Sequence, residues 1–109
     1  MFDEMSQFIR PTEPNSAYKE IWRLEHLLDE KKISHSIQQL FDGYRVGVIY
    51  GGLEIGDAIE HKGSYGHEND LLEIRGFDVN DVIGSLTAEE VMQYVNKSLM
   101  NWSKYDEHN

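Results

Sequence analysis

The chain has 109 residues, a length that fits one domain with a single hydrophobic core. It contains no cysteine, which excludes disulfides and cysteine zinc sites. No apolar run reaches membrane-spanning length, and we expect a cytoplasmic protein without a membrane partner. Twenty acidic against ten basic residues give a net charge of −10, a field that repels phosphate backbones and argues against direct nucleic-acid binding.

The first predicted elements are a flexible leader over residues 1–14 and a helix. Both prolines lie within the leader, at positions 11 and 14, so it cannot be helical inside. Asn15 or Ser16 is the predicted N-cap of the helix, which ends near Lys31-Lys32. Its apolar stripe comprises Tyr18, Ile21, Trp22, Leu24, Leu27 and Leu28. The remaining positions are assigned to the polar or boundary surface: Glu20, Arg23, Glu25, His26, Asp29 and Glu30.

The apolar pattern then changes from a helical to an alternating period, which predicts an antiparallel meander. Asp42-Gly43 and Gly51-Gly52 are signals for tight turns between strands. Gly47 lies inside a strand and indicates a bulge or a place of close approach. The predicted strands are 33–41, 44–50, 53–59 and, as strand or buried helical turn, 71–77; residues 78–85 are predicted to form a loop.

A second helix closes the predicted domain. Thr87-Ala88-Glu89-Glu90 matches a capping box, and Val91, Val95, Leu99 and Trp102 follow on one apolar stripe. We therefore expect an α+β two-layer sandwich in the order α-β-β-β-(β)-α, with two helices covering one face of an antiparallel sheet. This domain spans residues 15–102, and residues 103–109 are predicted to be a polar, frayed tail.

Residues 61–70, His-Lys-Gly-Ser-Tyr-Gly-His-Glu-Asn-Asp, are called the polar loop and are the densest chemical stretch of the chain. One interpretation is a nucleotide-binding loop, in which Tyr65 stacks on a base and the glycines allow close backbone approach. A favoured structural interpretation makes the loop a turn and Tyr65 a core plug that closes the sheet. The candidate binding residues here are His61, Ser64, Tyr65, His67 and Asp70.

The polar loop also contains the parts of two catalytic arrangements. His61, His67, Glu68 and Asp70 could ligate zinc or iron, but their spacing matches no standard site. Ser64, a histidine and Asp57 would supply a hydrolytic triad, yet Gly63-Ser64-Tyr65-Gly66 is one residue short of a nucleophile elbow. We therefore expect neither a cofactor nor an enzyme.

The charge of the chain is concentrated in one segment. Residues 54–90 hold ten acids against two bases, a charge of −8, whereas the rest of the chain carries −2. Such a surface either keeps the protein soluble or meets a basic partner protein. Glu54, Asp57 and Glu60 are the candidate binding residues of this acidic surface, and a homo-oligomer is also compatible with the sequence.

Three short stretches carry a resemblance: residues 57–61 (Asp-Ala-Ile-Glu-His), 64–66 (Ser-Tyr-Gly) and 70–77 (Asp-Leu-Leu-Glu-Ile-Arg-Gly-Phe). With the helix opened by residues 85–91, they are similar to small uncharacterised proteins of phages and prophages of Gram-positive bacteria. The similarity spans residues 16–102 and implies a phage origin; it carries over no activity and no catalytic residue.

The resemblance and the charge together favour one function. We expect a small acidic accessory protein that binds a basic host protein non-covalently and inhibits host defence. The alternative is a protein that sequesters a small nucleotide with the polar loop, and the third possibility is a hydrolase or metal-dependent enzyme.

Overall fold

A computed structural model describes residues 10–15 and 17–107, without the side chains of residues 106 and 107. It confirms the two-layer α+β fold: five antiparallel strands in the order β1-β2-β3-β4-β5 form one sheet, and two helices contact it. The elements are α1 (Lys19–Glu30), β1 (His35–Leu40), β2 (Gly43–Tyr50), β3 (Leu53–Glu60), a 3₁₀ turn (His67–Asn69), β4 (Leu72–Gly76), β5 (Ile83–Leu86) and α2 (Ala88–Glu107).

The core lies between the helices and one face of the sheet. Alternation along the strands brings Val46, Ala58 and Ile74 side by side in the register of β2, β3 and β4. The stripes of α1 and α2 cover them, because apolar residues at helical spacing share one face. The fully buried apolar residues of the helices are Ile21, Leu24, Leu28, Ala88, Val91 and Val95.

The sequence predicts the start of α2 correctly but not its end. The capping box is confirmed at the start, where Glu90 N–H donates to Thr87 Oγ1 (3.2 Å) and Thr87 N–H donates to Glu90 Oε1 (2.9 Å). The predicted frayed tail is wrong for residues 103–107, because α2 continues to Glu107. Trp102 and Tyr105 consequently lie on the same helix.

Two further predictions about elements are corrected. The predicted loop 78–85 contains most of β5, which is only four residues long and includes Gly84 and a left-handed Ser85 (φ 59°). Such a short segment has too few residues to show a period of two. The predicted N-cap of α1 is also wrong: the helix begins at Lys19, so Asn15 lies outside the capping position, and Tyr18 before it makes no side-chain cap.

Part of the predicted flexible leader lies against α1; its first nine residues, like Ser16, are outside the described part of the chain. The Arg10 guanidinium stacks over the Trp22 ring, 5.4 Å from its centroid. Tyr44 O–H donates to the Thr12 carbonyl over 3.5 Å. Residues 10–14 thus lie along α1 and contact it through Arg10 and Glu13.

Candidate functional site

The side chains of the polar loop bond mainly to the loop itself. Ser64 is 4% exposed, and its Oγ donates to the His61 carbonyl (2.8 Å) and accepts from the His61 N–H (3.1 Å). His61 Nδ1 accepts the Gly63 N–H over 2.9 Å. His67 Nδ1 lies 3.2 Å from the Ser64 carbonyl. Because these hydrogen bonds lie within a compact turn, the polar atoms that make them are not available to bind a ligand.

The parts of the hydrolytic triad do not assemble. Ser64 Oγ is bound to the backbone of His61 rather than to an imidazole. Asp57 is held by two arginines on the sheet. The predicted metal ligands of the loop are likewise separated, because Asp70 bonds to the start of α1 while Glu68 pairs with His67.

Tyr65 is not a core plug. Its side chain is 67% exposed, and its Cβ lies against Gly84 of β5, where an added Cβ atom would collide with it. Its N–H donates to Glu73 Oε1 (3.1 Å), and its carbonyl accepts the Ser85 N–H (3.2 Å). The loop is therefore fixed to β4 and β5 through the Tyr65 backbone, and the ring extends into solvent.

Asp70 closes the polar loop by capping α1. It accepts the N–H groups of Lys19 (3.3 Å) and Glu20 (3.4 Å), which satisfies helix donors that no local side chain reaches. Glu20 in turn accepts the Ala88 N–H (2.5 Å) at the start of α2. Carboxylates from distant parts of the chain thus stabilise both helix N-termini.

Glu60 lies beneath this capping arrangement and is 1% exposed. Burial, followed by a hydrogen bond to Asp70 and the charge of Asp70, raises the pKa of Glu60 to about 9. A pKa this high leaves the carboxyl protonated at neutral pH. Its Oε1 has no hydrogen-bond partner among the described residues. A perturbed acid of this kind is a candidate functional group, but it faces the interior rather than solvent.

The other end of the polar loop is tied to α1 by Tyr18. The Tyr18 O–H donates to Asp42 Oδ2 over 2.6 Å; this bond raises the pKa of Tyr18 to about 12 and lowers the pKa of Asp42. Asp42 also accepts the Lys62 N–H (3.2 Å). The loop is thereby anchored at both ends to the start of α1.

The predicted acidic surface of Glu54, Asp57 and Glu60 is wrong in two of its three residues, because Asp57 (6% exposed) and Glu60 are buried. Asp57 Oδ2 accepts from Arg45 Nε (2.9 Å) and Arg75 Nη2 (3.1 Å). Glu54 is exposed but pairs with Arg45. Although burial lowers it, the pKa of Arg45 is raised overall by these two carboxylates. The charges cancel locally on this face.

Gly47 makes that charge network possible. A Cβ atom at position 47 would collide with the Glu54 carboxylate, which lies over the strand. The close approach expected for this glycine is confirmed, and the β2–β3 register shifts one residue further on, between Val48 and Ile49.

A pocket that the sequence did not indicate opens between the β4–β5 loop and the end of α2. It is lined by Asp78, Asn101, Trp102 and Tyr105, has a volume of about 320 Å³, and is called the aromatic pocket. The Trp102 and Tyr105 rings meet edge to face at 6.4 Å between centroids. Their i, i+3 spacing near the end of the helix could have indicated this aromatic pair. The sequence pattern instead assigns Trp102 to the apolar stripe of the helix and Tyr105 to the predicted tail.

Asp78 is held in position by unusual backbone geometry. Phe77 (φ 52°) and Asp78 (φ 63°) are both left-handed, a conformation that costs energy for non-glycine residues. The Phe77 ring packs on Gly56, where a Cβ atom would collide with it, and Asn101 Nδ2 donates to Asp78 Oδ2 over 3.1 Å. Core packing and a helix contact thus fix the carboxylate beside the aromatic rings.

Fold and pocket together define a small α+β domain with an acidic, aromatic surface pocket. The chain matches no protein-family model, no curated protein and no solved structure. Within the described part of the chain, neither helix has the length and apolarity needed to cross a membrane.

Proposed function

We propose that the chain acts by non-covalent binding of a basic partner protein, whose lysine or arginine side chain enters the aromatic pocket. The observation that carries this proposal is the arrangement of the pocket, in which the Asp78 carboxylate is fixed beside the Trp102 and Tyr105 rings. Cations bind the faces of tryptophan and tyrosine, and a carboxylate adds a charge-assisted hydrogen bond.

The size of the pocket supports a single side chain as its occupant. Its volume of about 320 Å³ lies near the lower end of the range found for small-molecule sites, roughly 300–1,000 Å³. An extended arginine or lysine fills such a space with its apolar stem along the rings and its charge at Asp78.

Charge and rigidity also favour a basic partner. The net charge of −10 attracts a basic surface over long range and speeds its encounter with the chain. Because packing already fixes Phe77 and Asp78, little conformational entropy is lost when the partner binds. In the phage setting that the sequence resemblance implies, the partner is a host defence protein, and occupation of its basic surface inhibits it.

The test uses a peptide of alternating arginine and glycine, titrated calorimetrically into the full chain. Asp78→Asn removes the charge but retains an acceptor for Asn101, so we expect affinity to fall about tenfold. Asp81→Asn is the matched control, since it makes the same charge change on an exposed residue that does not line the pocket.

A second pair of variants tests the aromatic contribution. Trp102→Ala removes a ring that lines the pocket, and Met100→Ala removes an exposed side chain of the same helix that does not. We expect a loss of about 2 kcal/mol of binding for the first and little change for the second. Equal losses within either pair would show that only the overall charge or the helix surface matters, and would contradict the proposal.

A further inference from the structure

Glu25 is a buried carboxylate on a helix face that the sequence assigned to the surface. It is 0% exposed and lies among the buried positions of α1. An ionised carboxylate without water requires positive charge and hydrogen-bond donors around it. The groups around Glu25 therefore indicate which cation the carboxylate can bind.

Two groups bond to the two oxygens of Glu25, and a third, His26 Nδ1, lies 3.6 Å from Oε1. Arg10 Nη2 lies 2.6 Å from Oε1, and His35 Nε2, from the start of β1, lies 2.9 Å from Oε2. Asp29, one turn further along α1, places its Oδ1 3.5 Å from the same His35 nitrogen. Glu25, Asp29 and His35 are called the Glu25 cluster; one ligand atom of each lies within 4.8 Å of the others.

The orientation of His35 is set from outside the cluster. Its Nδ1 lies 2.7 Å from the Ile33 carbonyl. A carbonyl only accepts, so Nδ1 carries a hydrogen and the lone pair of a neutral ring is on Nε2, directed at the two carboxylates. Histidines that bind metals are oriented in this way, by donating the other ring N–H to a carbonyl or carboxylate.

The distances in the cluster suit a tetrahedral ion. Zinc binds imidazole nitrogen and carboxylate oxygen at about 2.0–2.2 Å, which places neighbouring ligand atoms about 3.3 Å apart. The separations of 2.9 Å and 3.5 Å from His35 Nε2 lie on either side of that value. Arg10 bonds to the Glu25 oxygen that does not face His35, so it orients the carboxylate and leaves Oε2 to the metal.

We propose that Glu25, Asp29 and His35 form a zinc-binding site with one position open to a water or a ligand. Zinc binds both imidazole nitrogen and carboxylate oxygen, and open zinc sites take three protein ligands and leave the fourth position to water or substrate. Magnesium and calcium are poorer occupants, because they prefer more ligands, all of them oxygen. The site is independent of the aromatic pocket, with which it shares no residue.

The experiment is a calorimetric titration of the full chain with Zn²⁺, and separately with Mg²⁺. We expect one zinc per chain and no comparable heat with magnesium. His35→Ala should weaken zinc binding about 100-fold or more, since it removes the only nitrogen ligand. The control is His67→Ala, because His67 also contacts a carboxylate, Glu68 at 3.2 Å, but forms no cluster of three potential ligands within the described part of the chain.

Asp29→Asn keeps the test decisive if His35→Ala fails to fold. Asp29 is exposed, so its neutral amide leaves the fold intact while zinc affinity falls about tenfold. A wild-type chain that binds no zinc, or an affinity that Asp29→Asn and His35→Ala leave unchanged, would overturn the proposal. Absence of zinc binding by the wild-type chain would mean that a proton, rather than a metal, lies between His35 and the carboxylates.

Discussion

The polar loop and the aromatic pocket contrast in the direction of their polar groups. In the loop, Ser64 Oγ bonds to the His61 backbone, His61 Nδ1 accepts the Gly63 N–H, and Asp70 caps α1. In the pocket, Asp78 lies beside the half-buried Trp102 ring and the exposed Tyr105 ring, and it accepts a hydrogen bond from Asn101. The loop is denser in functional side chains, but the pocket presents its side chains to a partner.

This contrast shows why local density of polar residues is a poor guide to a site. Neighbours in sequence reach each other's backbone easily and satisfy one another. A binding site needs polar groups that remain available to a ligand. Such groups are more readily supplied by side chains from separate elements that the fold brings together. Asp78 and Trp102 meet that condition, as do Glu25 and His35.

The largest effect is expected at Glu60, the inward-facing acid beneath the loop. Its pKa is raised from 4.5 to about 9, so the folded state holds the proton more tightly than the unfolded chain. The resulting stability is complete below pH 4.5 and is lost as pH rises through about 9. Glu60→Gln removes this dependence. Between pH 4.5 and about 9, the free energy of unfolding of the variant relative to wild type should therefore rise by about 1 kcal/mol per pH unit.

Urea unfolding of both proteins at about pH 5, 7 and 9 measures this difference. Parallel stability curves would show that Glu60 ionises normally and is not enclosed by the loop. Glu54→Gln is the control, because it makes the same substitution at an exposed residue of the same strand.

An intermediate effect is expected at the cap formed by Asp70. Asp70→Ala leaves the Lys19 and Glu20 N–H groups without their acceptor, which should cost about 1–2 kcal/mol of unfolding free energy. Glu68→Ala, in the same loop but exposed, should change stability by less than about 0.5 kcal/mol. Equal effects in thermal unfolding would mean that the loop does not stabilise α1.

How much of this could be read from the sequence depends on the range of each interaction. The helices, the meander and the capping box at Thr87 were predictable because they rest on local periodicity and spacing. The cap of α1 was not, since its acceptor Asp70 is 51 residues from Lys19. Nor was the aromatic pocket, which depends on the left-handed pair Phe77-Asp78 and on α2 extending past Trp102.

The smallest effect is expected at Tyr65, the residue that the nucleotide interpretation requires. Alanine keeps the Cβ that packs on Gly84, and the lost ring is exposed, so stability should change by less than about 0.5 kcal/mol. A thermal-shift screen of wild type and Tyr65→Ala with nucleotides measures both quantities. A nucleotide that stabilises wild type but not the variant would restore the loop as a binding site.

The most direct test compares the two regions in one nuclear magnetic resonance titration of the full chain with the arginine–glycine peptide. We predict that the indole N–H of Trp102 and the side-chain amide of Asn101 shift first and furthest, because both residues line the aromatic pocket. The backbone amides of Gly63 and Gly66 in the polar loop should stay in place. Shifts confined to those glycines, with Trp102 unchanged, would contradict the assignment of binding to the pocket.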